Sequence, residues 1–388
     1  MRRPGLRHCA VTLASACLAL CSLTGCAAGL RVKQIDAAEE RPANVLVFFR
    51  VTGDDQSGVP GLQETAFEVK EDDHAIGPGV DRVIVNPDLR ASQTTMILLD
   101  LGGRPSAEDL DALAGAAAVL VDRLGSSRRV ALYALDGLPE PQPLAPFGSS
   151  ADTLKAAAAK IPSYKTRDPS LDLNGGYVSA LHTLRQTASP SAGPRIANLI
   201  LLTRGPDRAS RIDQRAVSDE IRKTDIDIRR FAIGYGAEAE KAKIDVFADG
   251  PIARVSSTLA LREATTKIAD AVDERGRSFY LLSYCTAARG GQHKLRLDVS
   301  RERTDEGGDK KKVTIDHGSL SYAFKADGFG PGCTPNVPDG WKSDPSHDHV
   351  AVVTTQSVKV EGKGANGANQ GSQKGGAKPS LAEAIPGR

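Results

Sequence analysis

Aromatic side chains are scarce in this sequence. Phe, Trp and Tyr make up 4% of its 388 residues, so a core has to be assembled mainly from Leu, Val, Ile and Ala. An excess of charge is also missing: 50 Lys and Arg face 48 Asp and Glu, a net charge of +2. Nucleic-acid binding normally leaves a basic footprint, so no nucleic-acid partner is expected. Phosphate-cradling loops are lacking too. Gly102-Gly103 and Gly234-Tyr235-Gly236 have neither the G-x-G-x-x-G nor the G-K-[ST] context. No G-x-S-x-G elbow occurs, and no internal repeat is evident. The apolar run at 9–25 falls short of the ~20 residues that span a bilayer. These absences argue against group-transfer chemistry and leave binding as the expected role, with no cofactor.

The amino terminus reads as a targeting segment. Arg2, Arg3 and Arg7 form a basic start, the apolar run follows, and it ends in Leu23-Thr24-Gly25-Cys26. That tetrapeptide resembles a bacterial lipobox, which makes residues 1–25 a lipoprotein signal peptide and Cys26 the lipid-modified first residue. An ordinary secretory peptide cut near Ala27-Ala28 is the alternative. Ala27, rather than Asp, follows the cysteine, which by resemblance to the enterobacterial sorting pattern favours the outer membrane. Cys9, Cys17 and Cys21 leave with the signal, so Cys285 and Cys333 remain. Two cysteines in an oxidising compartment suggest one disulfide, closing a loop of about 48 residues worth roughly 4 kcal/mol. Two buried free thiols are the other reading.

Residues 26–42 are polar and read as a tether. Segments 43–51, 67–71 and 81–86 read as short strands separated by turns. From Thr94 the pattern becomes strand–helix alternation. Residues 94–101 and 197–203 are apolar throughout, as strands buried on both faces are. Ser106 is a candidate N-cap for a helix over 107–124, with Leu110, Leu113, Ala117, Leu120 and Leu124 on one stripe. Helices are expected over 151–161, 175–186, 211–223 and 259–272. Strands are expected over 129–135 and 226–233, the latter stopped by Gly234-Tyr235-Gly236. The β pattern returns at 278–284, 293–300 and 312–324, with 304–311 as a charged hairpin loop. Tyr280 and Tyr284 share one strand face. Single polar residues carry little: His182 reads as a surface or packing residue, His347 and His349 as solvated, and Lys310-Lys311-Lys312 as a hairpin tip diluted by Asp305, Glu306 and Asp309. Residues 359–378 have almost nothing to bury and read as disordered. The expected fold class is α/β, a doubly wound, mostly parallel sheet (93–277) inserted into a β-sandwich formed by both flanks (43–92 and 278–327). A mostly disordered tail (328–388) follows.

The run Val51-Thr52-Gly53-Asp54-Asp55-Gln56-Ser57-Gly58-Val59-Pro60-Gly61-Leu62, with Ala66-Phe67-Glu68-Val69-Lys70-Glu71-Asp72-Asp73, precedes the alternating region. Phe279-Tyr280-Leu281-Leu282-Ser283-Tyr284 and Lys294-Leu295-Arg296-Leu297 follow it. In this order the pattern resembles the von Willebrand factor type A domain, in particular its bacterial secreted group. The resemblance spans about 43–324. It implies a metal-ion-dependent adhesion site built from D-x-S-x-S after the first strand, a Thr on a later loop and an Asp after the fourth strand. An Mg²⁺ held by such hard oxygens would present an open position to a partner's carboxylate.

Compared with that pattern, Asp100 matches the first Asp. Gly102 and Arg104 stand where the two Ser belong, Gly175 replaces the Thr, and Arg204 replaces the Asp. Two fixed cations beside a divalent ion would repel it by several kcal/mol at ~4 Å, even at an effective dielectric constant of 20. The expectation is therefore a degenerate site without metal. In it, the guanidinium of Arg204 or Arg104 takes the ion's place and pairs with Asp100. The bland alternative has Asp100 capping or solvated and both arginines pointing outward. The expected function is a lipid-anchored cell-envelope module for protein binding or scaffolding. Its partners would be another envelope or extracellular protein and, through Cys26, the membrane. One alternative is an envelope enzyme, or an accessory to one, acting on an acidic substrate in the Asp100/Arg204 crevice. Another is a metal-dependent adhesin with non-standard ligands such as Asp172 or Asp207.

Overall fold

Antiparallel strands, then strand–helix alternation, then antiparallel strands again make up the chain. The computed structural model describes residues 29–337, apart from 79–80, 88, 91–92, 126–128, 189–195, 225 and 308–309, together with 351–352. The signal segment, Cys26, His347, His349 and the stretch 359–378 lie outside the described residues. In order, the elements are β1 (Arg31–Glu40), β2 (Asn44–Thr52), β3 (Phe67–Glu71), β4 (His74–Ile76), β5 (Arg82–Asn86), β6 (Thr94–Asp100), α1 (Ala107–Leu124), β7 (Arg129–Leu135), β8 (Gln142–Ala145), α2 (Ala151–Lys160), α3 (Leu173–Thr187), β9 (Ile196–Thr203), α4 (Gln214–Arg222), β10 (Asp227–Tyr235), β11 (Ile252–Val255), α5 (Thr258–Arg277), β12 (Phe279–Cys285), β13 (Gln292–Gly307), β14 (Lys310–Lys325) and β15 (Ala351–Val352).

The flanks form two antiparallel sheets, ordered β1-β2-β12-β5-β15 and β14-β13-β3-β4. Their inner faces share one core, with Val45, Val47, Phe49, Tyr280 and Tyr284 from the first sheet against Phe67, Val69, Leu295 and Leu297 from the second. Several of the few aromatics gather here: the Phe49 and Tyr280 rings stack at 5.7 Å and Phe67 lies 5.3 Å from Tyr280. The opposite face of the first sheet is covered as well. Leu46, Phe48, Phe279 and Leu281 pack with Leu89 and Ile196. Burial on both faces explains why residues 45–49 of β2 are apolar without alternation.

Between Asn86 and Phe279 the chain builds a six-stranded sheet, ordered β11-β10-β9-β6-β7-β8. All neighbours in it are parallel except the edge pair β7 and β8. Ile97, Leu99, Ile200 and Leu202 face the side covered by α1, α2 and α5. Met96, Leu98, Leu199 and Leu201 face α3 and α4. Every residue of β6 is consequently buried. The α1 helix begins in a capping box between Ser106 and Asp109, and its apolar stripe is buried. This is the α/β sheet within a β-sandwich that the sequence predicts. Among the described residues, no helix is long and apolar enough to cross a membrane.

Several local expectations are corrected. Residues 31–40, read as part of a tether, form β1, which pairs with β2 from Arg31 opposite Thr52 to Glu40 opposite Asn44. Its polar composition is that of an edge strand open to solvent on one side. The supposed loop 304–311 largely continues the β13–β14 ladder, paired as far as Gly307 opposite Lys310. Helix α4 starts at Gln214 rather than 211, because the Asp213 carboxylate accepts from the Ala216 N–H (2.8 Å). Gly234 and Tyr235 extend β10 instead of stopping it, because the unexpected strand β11 pairs with them.

Candidate functional site: the crevice at the carboxyl ends of β6 and β9

The connections from β6 run first to β7 on one side and later to β9 on the other, so strand order reverses between β6 and β9. In open α/β sheets the crevice outside such a switch point is the usual ligand position. Here its floor is Asp100, at the end of β6, and its wall is Thr203-Arg204, at the end of β9. Asp100 is fully buried. Its carboxylate accepts from the Thr203 hydroxyl (2.9 Å), the Arg204 N–H (3.1 Å) and the Gly102 N–H (3.2 Å). Burial pushes its pKa above the ordinary carboxylate value, against the charge of Arg204 and these hydrogen bonds.

The Arg204 side chain does not form the guanidinium–carboxylate pair with Asp100 expected from sequence. It reaches across the crevice to Asp109 on α1 (Nη1–Oδ2 3.2 Å) and donates to the carbonyl oxygen of Gly102. Its Nε lies 3.4 Å from the Asp100 carbonyl oxygen. The same Asp109 oxygen also accepts from the Ser106 N–H (2.9 Å), so the α1 capping box and Arg204 are joined. Arg104 has a positive φ of 59°, and its side chain is exposed and takes no part in the cluster.

The two glycines that stand where the resemblance expects metal ligands are enclosed. A Cβ on Gly102 would lie 3.0 Å from the Ser170 carbonyl oxygen and 3.2 Å from Leu171. A Cβ on Gly175 would lie 2.6 Å from the Asp172 carboxylate. Asp172 is the N-cap of α3, accepting from the Gly175 N–H (3.1 Å). Its second oxygen pairs with Arg211 (3.1 Å), which also donates to the Gly137 carbonyl oxygen (2.8 Å) and lies 3.3 Å from Asp168. Asp207, the other alternative ligand, accepts from the N–H groups of Asn174 (3.2 Å) and Ser210 (2.8 Å).

A third ionic group was not foreseen. Asp136, just beyond β7, is fully buried and accepts from the Tyr164 hydroxyl (2.8 Å) and Arg167 (3.2 Å). Burial first, then Asp136, pushes the Tyr164 hydroxyl up to about 12. Arg208 completes the rim through Glu238 (3.1 Å). The Asp172 cap and its glycine were legible at short range. Arg211 was not, because its partner lies 39 residues away in sequence.

Elsewhere, His182 pairs with Glu220 (2.7 Å) on the surface. Cys285 and Cys333 are joined, with a sulfur–sulfur distance of 2.00 Å. Among the described residues one group offers three metal-type ligands close together, Glu71, Asp72 and His293. Both ring nitrogens of His293 are already engaged, Nδ1 with Asp72 (2.7 Å) and Nε2 with the Gly290 carbonyl oxygen (3.0 Å). That is the arrangement of a hydrogen-bonded imidazolium rather than of a metal ligand, which needs a free ring nitrogen.

No protein-family model and no curated protein matches this chain. Similar solved structures include a von Willebrand factor type A protein from Catenulispora acidiphila, at 14% identity and TM-score 0.40, covering 76% of this chain and 72% of that one. Proximal thread matrix protein 1 of the mussel byssus, solved with a zinc-occupied MIDAS motif, is similar at 16% identity and TM-score 0.36, covering 53% and 49%. The PilB minor pilin of Streptococcus sanguinis is similar at 12% identity and TM-score 0.36, covering 63% and 78%. The strand order, the single antiparallel edge and the helices on both faces define the class here: a doubly wound, mostly parallel α/β sheet.

Proposed function

We propose that this chain is a non-catalytic protein-interaction module of the cell envelope, lipid-anchored through Cys26, whose von Willebrand A-like crevice works without a metal ion. The observation that carries the metal-free reading is the hydrogen bonding of Asp100. Its carboxylate is occupied by three donors, the Arg204 guanidinium lies beside it, and the two enclosed glycines supply no hydroxyl. An octahedral divalent ion needs several oxygen ligands free of such donors. Titration calorimetry with Mg²⁺ and Mn²⁺ is expected to give no saturable heat. A saturable signal that Asp100→Ala abolishes overturns the metal-free reading.

Support for a protein partner comes from the rim. Arg104, Arg167, Arg208 and Arg211 are partly or fully exposed, and the last three are ion-paired to Asp136, Glu238 and Asp168 with Asp172. A mixed-sign, preorganised polar rim suits protein recognition, where complementary charge sets register and specificity. The partner follows from a photo-crosslinking residue at position 104 of the full chain in its own cells. Recovery of one protein, lost when Arg208 and Glu238 exchange charge, supports the reading. Equal labelling from position 259, on the exposed flank of α5, overturns it. The disulfide supports an oxidising compartment. Incorporation of labelled palmitate that disappears in Cys26→Ala tests the anchor, and the outer membrane is the proposed address.

A further inference from the structure

A second cationic site lies at the opposite end of the parallel strands, where the first antiparallel sheet meets the start of β10 and the end of α5. A cavity of about 160 Å³ is lined there by Arg50 of β2, Arg229 of β10 and Arg275 of α5, with Thr52, Gln56 and Ala271 beside them. That space far exceeds the ~15 Å³ of such volume that admits one water.

The charges on the arginine wall do not balance. Asp227 serves Arg275, Lys33 (2.8 Å) and Arg50 (3.7 Å) together. Asp249 is taken by Arg230 (2.9 Å), and Arg229 stands 4.0 Å from it. Five cations therefore share two carboxylates. The Nε groups of both Arg50 and Arg275 are buried without an acceptor, and the Arg275 side chain is only 4% exposed. Among the described residues Arg50 makes no other ion pair; its guanidinium lies 6.0 Å from the centre of the Phe279 ring. Burial, with the like charges of Arg50 and Arg229, pushes Arg275 down to about 10 despite Asp227. It stays charged at neutral pH. Two further carboxylates, Asp55 and Glu274, also line the cavity, making four for the five cations. Asp55 accepts from the Ser57 N–H (3.0 Å) and hydroxyl (2.6 Å), and Glu274 accepts from the Gly58 N–H.

We propose that this cavity is a binding site for a small oxoanion, of the phosphate or carboxylate class, held by Arg50 and Arg229, with the charge of Arg275 behind them; the Arg275 fork itself is spent on Ala197, Asn198 and Asp227. Arginine forks match such oxygens in pairs. Because Arg50 and Arg229 come from β2 and β10, the bound anion ties the antiparallel sheet to the parallel one. The site is separate from the β6–β9 crevice and does not depend on how that crevice functions.

The test is calorimetry on the full chain at constant ionic strength, with inorganic phosphate in one arm and acetate in the other. Saturable binding of either, together with a raised Tm, is expected; the arm that binds more tightly identifies the anion class. Arg50→Gln is expected to weaken it by about tenfold or more, the scale of one lost charge-assisted hydrogen bond. Arg211→Gln, at the crevice, leaves it unchanged. If Arg50→Gln does not fold, Gln56→Glu gives a second readout. Gln56 already accepts from Arg229 (2.7 Å), so a carboxylate there competes with the anion, raising Tm in its absence and weakening its binding. No saturable binding in either arm, or binding that Arg211→Gln removes and the cavity variants leave intact, overturns the proposal.

Discussion

At the scale of single residues, His293 is a side chain whose protonation the fold has fixed. The Gly290 carbonyl oxygen and the Asp72 carboxylate each accept a hydrogen bond from one of its ring N–H groups and raise its pKa from the ordinary histidine value. Asp72 itself is held below its ordinary value, chiefly by the Lys294 N–H and then by His293. A group whose folded pKa is raised stabilises fully below its unfolded value and loses that contribution as pH rises through the folded one. Wild type is therefore expected to exceed His293→Gln in stability by more at about pH 5.5 than at about pH 9, read from urea midpoints. An equal gap at both pH values contradicts the assignment. Asp100 shows the opposite balance. Burial holds its pKa above the ordinary value, against the charge of Arg204 and its hydrogen bonds.

Elements show how the crevice came to be built without hydroxyls at positions 102 and 175. The α3 helix starts at Leu173 because Asp172 caps it, and the cap's carboxylate lies where a side chain at 175 would begin. Gly175→Thr is expected to destabilise by about 1–3 kcal/mol, the cost of overpacking a tight site. It should also free Arg211 by displacing Asp172, which greater protease sensitivity of the loop before α3 would report. A variant as stable as wild type shows that the cap can move aside. Likewise a Cβ at Gly102 meets the Ser170 carbonyl oxygen and the Leu171 side chain, so a serine placed there meets protein rather than solvent. Restoring one ligand at a time is therefore not expected to restore an ion.

For the whole molecule, the disulfide matters beyond its own neighbourhood. Cys285 ends β12, the central strand of the first sheet, and Cys333 lies 48 residues on, past the β13–β14 hairpin. The bridge thus holds the carboxyl-terminal part of the second sheet's connection to the middle of the first. Cys333→Ser is expected to lower unfolding stability by about 4 kcal/mol on the chain-entropy scale, measured by denaturant titration against the oxidised wild type. A loss below about 1 kcal/mol would mean that packing between the sheets already supplies the constraint. The polar seam of Arg275, Asn198 and Gln93 beneath the parallel sheet works the same way. Asn198 donates to Gln93 (2.7 Å) while accepting from Arg275 (2.9 Å), linking the chain before β6 to the end of α5.

Periodicity settled the elements whose burial is uniform. The seven buried residues of β6, the apolar run of β9 and the α1 stripe with its Ser106 cap read directly, because one face or two faces of burial leave a regular pattern in a single stretch. Strands whose partners are distant did not read. β1 is polar because it is an edge, β11 is four residues long, and β8 is formed only against β7; each owes its existence to a neighbour's open hydrogen bonds. The same division runs through the functional residues. Asp100, Gly102, Gly175 and Arg204 were placed by the resemblance to the von Willebrand A pattern, each lying at or near the end of an element. Which carboxylate each arginine meets, and that Arg50, Arg229 and Arg275 surround one cavity, depends on chain segments up to more than 200 residues apart. Charge pairing is a matter of distance in space, and distance in space is what one-dimensional pattern does not carry.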